Sequence, residues 1–223
     1  MKKLLTLITA LFILASVEGQ ILRYSNYTAP ATPPSGEGTL IDFESYSEGT
    51  LGTQGNWTAA AYNFTVIDDS GNNIIRPTQT SSANKIYLDI AVSNDQFAEA
   101  EFAAVNSNVV GVVARSSTDM SVYYRLIADD SERTLVCVSG AVYIIGTVAS
   151  GVSVGDVIKL EVNGTTLTVY LNGEVDTAMT AGVGAQGGNN GIFTDNRIAS
   201  GYVGLYGYGV NGTSLDNFRY GEL

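Results

Sequence analysis

Tyr87, Asp89, Arg115, Tyr123 and Arg125 have the side chains best suited to hold a ligand in this sequence. Period-2 counting places all five on the polar faces of alternating runs. Tyrosine rings offer flat apolar surfaces to sugar C–H groups, while arginine and aspartate fork hydrogen bonds to vicinal hydroxyls. If their strands are neighbours in one sheet, the five line a shallow carbohydrate groove. The competing reading is an ordinary solvated sheet face held by cross-strand pairs. Tyr202, Tyr206 and Tyr208 form a second aromatic set with even spacing, opposite Val203 and Leu205. Gly201, Gly204, Gly207 and Gly209 lie among them and allow close approach. Packing against a rim is the alternative to sugar stacking there.

The elements that must position these residues are strands. Ile86, Leu88, Ile90 and Val92 alternate with Lys85, Tyr87, Asp89 and Ala91; Met120, Val122, Tyr124 and Leu126 alternate with Ser121, Tyr123, Arg125 and Ile127. Ile158, Leu160 and Val162 continue the pattern, as do Leu167, Val169 and Leu171. Each run buries one face and leaves the other free. Asn163-Gly164 and Asn172-Gly173 bracket Thr165–Leu171 and suit type I′ turns, where both central residues need positive φ. Asp156–Asp176 therefore reads as a three-strand meander. Met179–Ile198, rich in glycine, reads as a long loop between strands. Many short antiparallel strands with Gly/Asn turns predict an all-β sandwich or barrel, and no short repeat suggests a propeller or solenoid.

The chain has 223 residues, with 11 Lys+Arg, 22 Asp+Glu, one cysteine and no histidine. Lys2 and Lys3 precede an apolar run, Leu4–Ala15, and Val17 and Gly19 suit the −3 and −1 cleavage positions. Residues 1–19 thus read as a secretory signal peptide, too short for a membrane span. Cleavage removes Lys2, Lys3 and Glu18, so 11 basic and 22 acidic residues become 9 and 21, a net charge of −12. That balance argues against nucleic acid and anionic membranes, and so against membrane insertion after processing. Residues 20–38, with Pro30, Pro33, Pro34 and Ser35-Gly36-Glu37-Gly38, read as an arm or linker. Residues 39–223 form the domain. Missing histidine excludes Ser-His-Asp and Cys-His catalysis and typical zinc sites. Cys137, in the alternating run Arg133–Ser139, reads as a buried strand residue. Asn26, Asn56, Asn63, Asn163 and Asn211 begin Asn-x-Ser/Thr triplets, which are glycosylation acceptors in a eukaryotic secretory route and otherwise chance matches in a Thr- and Asn-rich chain.

An ordered series of segments resembles concanavalin A-like domains, of the laminin-G-like type. It comprises Leu40-Ile-Asp-Phe-Glu44, Val110-Gly-Val-Val-Ala-Arg115, Tyr123-Tyr-Arg-Leu126, Gly155-Asp-Val-Ile-Lys-Leu-Glu161, Leu167-Thr-Val-Tyr-Leu-Asn-Gly173, Ser200-Gly-Tyr-Val-Gly-Leu-Tyr206 and Leu215-Asp-Asn-Phe218. The resemblance implies a two-sheet antiparallel jelly-roll β-sandwich whose first and last strands pair, placing Ile41–Glu44 beside Leu215–Arg219. It also implies that Asp42, Glu44 and Asp216 converge as a candidate structural calcium site, since calcium takes six to eight oxygens. Asp68-Asp69 and Asp129-Asp130 are separate acidic turns. Glucanases of the superfamily carry a Glu-x-Asp-x-x-Glu strand. Tyr87-Leu-Asp-Ile-Ala-Val-Ser93 keeps only Asp89 of it. Glu99 and Glu101 share a strand face but read as solvated charges rather than the acid pair of a glycosidase.

The expectation is an exported glycan-binding or adhesion domain without catalysis, with a glycan or surface polysaccharide as partner. A structural surface protein is the alternative: a phage capsid-decoration or fibre component, found on the virion if residues 1–19 are retained. A glycoside hydrolase ranks last.

Overall fold

The computed structural model describes residues 38–209 and 212–223. The expected signal peptide, and the arm apart from Gly38, lie outside the described residues. Alternation becomes strands as expected, and they form two antiparallel sheets packed face to face; the one helical element among the described residues is a 3₁₀ turn at Leu51–Thr53. The first sheet runs in the order Gly187–Asn189, Ile192–Thr194, Thr166–Leu171, Val157–Asn163, Gln96–Ala104, Ser214–Glu222, Asn73–Pro77, Phe64–Asp68 and Gly49–Thr50. The second runs Thr180–Ala181, Val142–Val148, Arg133–Val138, Tyr123–Ala128, Val110–Ser116, Tyr202–Tyr208, Ala83–Leu88 and Trp57–Ala61.

The inward residues of both sheets make the core. Ile86, Leu88, Val112, Tyr124, Leu126 and Leu205 of the second sheet meet Phe102, Leu160, Leu167, Val169 and Phe218 of the first. Burying each such side chain contributes about 1.5–3 kcal/mol. Cys137 is fully buried among them, and that burial, then Asp195, pushes its thiol up to about 11. The first and last strands pair as expected, with Ile41 opposite Phe218 and Thr39 opposite Tyr220. Trp57 closes edge-on against Phe218, with centroids 5.2 Å apart.

The meander forms over Val157–Asn163, Thr166–Leu171 and Glu174–Val175. Its second turn has Asn172 and Gly173 both at positive φ, 52° and 84°, as a type I′ turn requires. Its first turn differs from expectation. Asn163 pairs with Thr166, so the central residues are Gly164 and Thr165, and only Gly164 has positive φ, 56°. That is the pattern of a type II′ turn.

The glycine-rich stretch is not a plain loop. Thr180–Ala181 extends the second sheet, while Ile192–Thr194 and Gly187–Asn189 extend the first, with Phe193 buried in the core. Two buried ion pairs secure this segment. Arg133 reaches both oxygens of Asp176, at 2.8 and 3.1 Å. Asp195 pairs with Arg197 and accepts a 2.8 Å hydrogen bond from the Tyr124 hydroxyl.

Candidate functional site

The strand register of the second sheet sets its outward face residue by residue. One row crosses the sheet as Thr58, Tyr87, Gly204, Val113, Arg125, Val136 and Ile144. The adjacent row runs Lys85, Tyr206, Gly111, Ile127 and Thr134. Glycine is required at two positions in these rows. A Cβ on Gly111 would lie 1.9 Å from the Leu126 carbonyl oxygen, and one on Gly204 would lie 2.3 Å from that of Ile86. The glycines leave a low floor beside the rings of Tyr87 and Tyr206.

Over that floor the side chains interlock. Tyr87, Val113, Met120, Tyr123, Ile127 and Tyr206 form an apolar cluster separate from the main core. Tyr87 and Tyr202 pack with centroids 5.2 Å apart, and Tyr123 and Tyr206 at 6.3 Å. The Arg125 guanidinium lies 4.0 Å from the Tyr206 ring centroid and 5.9 Å from that of Tyr123. Lys85 also approaches Tyr123, with Nζ 5.3 Å from its centroid, and donates to the Met120 carbonyl at 3.1 Å. Burial, then repulsion from Arg125, lowers the Lys85 ammonium pKa, and Asp119 partly offsets this. Burial raises the Tyr123 phenol, against the opposing pull of Arg125.

Of the five residues singled out in the sequence, this face brings together Tyr87, Tyr123 and Arg125. Asp89 lies just past the end of Ala83–Leu88 and is exposed. Arg115 departs from the expected face. Its φ of 50° breaks the alternation at the strand's last turn, and the side chain, 2% exposed, swings to one end of the sandwich. There it donates to the carbonyls of Asn94, Gly164 and Ile198 at 2.7–2.9 Å and lies 3.3 Å from Asp95. Arg115 thus clamps three connecting segments, beneath a depression of about 400 Å³ lined by Asn94, Asp95, Thr165, Asn196 and Ile198. Met120, expected in the core, also has positive φ, 46°, and packs on the outward face instead. The rings are also less open than expected. Tyr123 is 2% exposed and Tyr87 and Tyr206 are 7% exposed, so all three rings are buried and Tyr202 is the half-buried ring of the group.

Lys85, Tyr206 and Gly111 join the site from outside the expected five. Lys85 and Tyr206 were legible as polar or aromatic residues in alternating runs, but only the strand order brings them beside Arg125.

The candidate calcium ligands do come near one another. Burial, together with the charges of Glu44 and Asp42, raises the Asp216 carboxyl, although hydrogen bonds from Asn72 and Asn217 oppose this. Both oxygens of Asp216 and one each of Glu44 and Asp42 accept hydrogen bonds from the protein. Asp216 accepts from Asn72 Nδ2 and the Asn217 amide, Glu44 from the Asn73 amide, and Asp42 from the Glu44 amide. Among the described residues no group of three or more His, Cys, Asp or Glu side chains is placed to hold a metal ion.

Glu99 and Glu101 share a strand face as expected, but on the outward side of the first sheet, away from the tyrosines. Glu99 is buried rather than solvated, 3.6 Å from Arg219 Nε, and Glu101 accepts from Asn217 Nδ2 at 2.8 Å.

No family model matches this chain, and no curated protein matches it. Solved structures do resemble it. A Bacillus subtilis protein of unknown function with a galectin-like fold superposes with a TM-score of 0.62 at 8% identity, over 85% of this chain and 97% of that one. The carbohydrate binding module CBM66 from Bacillus subtilis gives 0.53 at 15% identity, covering 75% and 92%. The VIP36 exoplasmic/lumenal domain, in a form bound to Ca²⁺ and Man3GlcNAc, gives 0.52 at 10% identity, covering 79% and 87%. Catalysts share the architecture too, among them the Crh5 transglycosylase. At these identities the likeness carries the fold alone, a two-sheet antiparallel β-sandwich.

Proposed function

We propose that this chain is an exported, non-catalytic glycan-binding domain, and that the outward face of the second sheet is its sugar-binding surface. The observation that carries this reading is the convergence of Tyr87, Tyr123, Tyr202 and Tyr206 with Arg125 and Lys85 above Gly111 and Gly204. The half-buried Tyr202 offers apolar contact to a pyranose, and the two half-buried cations offer hydrogen-bond donors that fix its orientation. The fold's occurrence in a carbohydrate binding module and a glycan-bound domain supports the reading. So does the commitment of Glu99 and Glu101 to protein partners on the other sheet. Export rests on the Lys2-Lys3 and Leu4–Ala15 layout.

Binding to a glycan array by the wild type, lost in Arg125→Ala at unchanged melting temperature, is the expected result. Retention of every glycan signal in that variant overturns the surface assignment. For export, intact mass of secreted material should show loss of residues 1–19, and Met1 on mature assembled material would sink the secretory reading.

The second reading, a structural surface protein, draws on Val142, Ile144 and Val183, which are 64%, 39% and 100% exposed near one edge of the second sheet. Exposed apolar groups of this kind suit contact with other protein copies. It takes precedence if no glycan binds and the chain self-associates through these residues.

A further inference from the structure

Charge pairing separates the cations of this protein into two groups. Among the described residues Arg115, Arg133, Lys159, Arg197 and Arg219 each lie within 4.0 Å of a carboxylate. Arg76, Lys85 and Arg125 do not, and two of these three are neighbours on the tyrosine face. In a chain with twice as many acidic as basic residues, two adjacent cations without carboxylate partners are a local reversal of the overall charge. Part of Arg125 is also desolvated. Its Nε is buried and has no hydrogen-bond partner, while the guanidinium plane is held against Tyr206 at 4.0 Å. Lys85 uses one of its three ammonium donors, on the Met120 carbonyl. The nearby carboxylate, Asp119, is exposed, lies beyond 4.0 Å from the Lys85 ammonium, and accepts at Oδ1 from the Ser117 hydroxyl and the Ser121 amide and hydroxyl.

A half-buried charge left unpaired costs stability, and an anion arriving from outside relieves it. We propose that this face takes a sugar bearing a single anionic group, a carboxylate or a sulfate ester, held by Arg125 and Lys85 while the pyranose lies over the tyrosine face, against the half-buried Tyr202. This rests on the glycan-binding reading above and narrows it to a ligand class. Arginine is suited to the oxyanion because its planar fork makes two parallel hydrogen bonds, and contact with the Tyr206 ring holds the guanidinium in place. Two cations match one oxyanion. A nucleic acid backbone needs a longer basic stripe, and the net charge of −12 for residues 20–223 repels it.

The test is an array of matched pairs: uronate oligosaccharides beside their carboxyl-reduced counterparts, and sulfated oligosaccharides beside their unsulfated ones, with oligo-dT as a control. Hits are titrated by calorimetry at two salt concentrations. The expected result is at least tenfold tighter binding of the charged member of one pair, weakened by added salt. Whichever pair shows it distinguishes carboxylate from sulfate. Lys85→Gln and Arg125→Gln should each remove the preference for the charged member, with Arg125→Lys retaining part of it. Thermal melting of each variant shows whether the fold is intact, and Lys85, partly exposed, gives a readout even if an Arg125 variant unfolds. Equal affinity for charged and neutral members overturns this inference but leaves the glycan-binding reading standing. Binding of no sugar on the array overturns both. A charged preference that survives in Lys85→Gln and Arg125→Gln puts the anion elsewhere, and tighter binding of oligo-dT replaces the sugar with a nucleic acid; either outcome overturns the inference.

Discussion

The two outward faces of this sandwich handle buried charge in opposite ways. On the first sheet Lys159, 4% exposed, lies 2.5 Å from Glu161 Oε1, and Tyr170 donates to the other oxygen at 2.8 Å. The same ammonium lies 4.5 Å from the Phe97 ring centroid and 5.2 Å from that of Tyr170. Glu99 faces Arg219 beside it. Arg219 Nε, like Arg125 Nε, is buried without a hydrogen bond, but a carboxylate 3.6 Å away answers its charge. On the second sheet tyrosines surround Arg125 and Lys85, and among the described residues no carboxylate pairs with either. Aromatic faces attract a cation by about 0.5–2 kcal/mol. A face whose charges are answered internally stabilises the fold. A face whose cations are oriented but unpaired is prepared for an external anion.

The largest expected effect tests how far the second face is part of the fold. Tyr123 is 2% exposed, packed against Tyr206 and under Arg125 and Lys85. Tyr123→Ala should therefore cost about 3 kcal/mol of stability, as deletion of a buried aromatic does. Period-2 counting alone treats this residue as a surface position, where the cost would be under about 0.5 kcal/mol. Urea unfolding decides between them. A loss under 0.5 kcal/mol would mean that the face is open after all.

The next effect sets the two lysines against each other. Lys159→Met leaves Glu161 and Glu99 short of a cation in a buried setting, where breaking a pair is costly. Glu161 retains some solvent, which reduces the loss to about 2 kcal/mol. Lys85→Met removes an ammonium with no carboxylate partner, so stability should stay within about 0.5 kcal/mol or rise. Equal losses in the two variants, by denaturant titration, would falsify the contrast between the faces.

The third prediction concerns ligand rather than fold. Arg125→Ala should weaken glycan binding by at least about 1 kcal/mol, the usual cost of removing a useful anchor. In contrast, Arg219→Ala on the first sheet should leave binding unchanged. Calorimetry on both variants checks this, and a loss in Arg219→Ala but not Arg125→Ala would move the binding surface to the other sheet.

Much of the fold was legible in the sequence because most strands keep strict alternation. Tyr124 and Leu126 point inward, Tyr123 and Arg125 outward, and the terminal strands pair at Ile41 and Phe218. The exceptions lie where backbone geometry interrupts the period. Arg115 and Met120 both have positive φ, which no side-chain pattern announces, and each leaves its expected face. The glycine-rich segment conceals strands of two and three residues, too short to show a period. The site was legible only in part. Tyr87, Tyr123 and Arg125 could be picked from their residue types. The roles of Lys85, Tyr206 and Gly111 depend on which strands are neighbours, and non-local pairing of that kind leaves no local mark.

The smallest expected effect is a pH dependence specific to the first face. Burial raises the Glu99 carboxyl above its ordinary 4.5; Lys159 and Arg219 pull it down, and Glu161 pushes it up again. A carboxyl whose folded pKa lies above its unfolded value binds its proton more tightly in the folded state. Its contribution to stability is therefore present below the unfolded value and lost as pH rises through the folded one. Glu99→Gln cannot titrate and escapes that loss. The variant's stability relative to wild type should thus improve between pH 4 and pH 7. Asp216, also raised mainly by burial, adds the same trend to both proteins and cancels in the comparison. Asp119 runs the other way. Hydrogen bonds from Ser117 and Ser121 hold it at about 2, so its contribution is present at neutral pH and lost only in strong acid, outside this window. Denaturant titrations of wild type and Glu99→Gln at both pH values provide the measurement. A difference that does not change with pH would show that Lys159 and Arg219 fully offset the desolvation of Glu99, making the first face more completely balanced than its pKa direction implies.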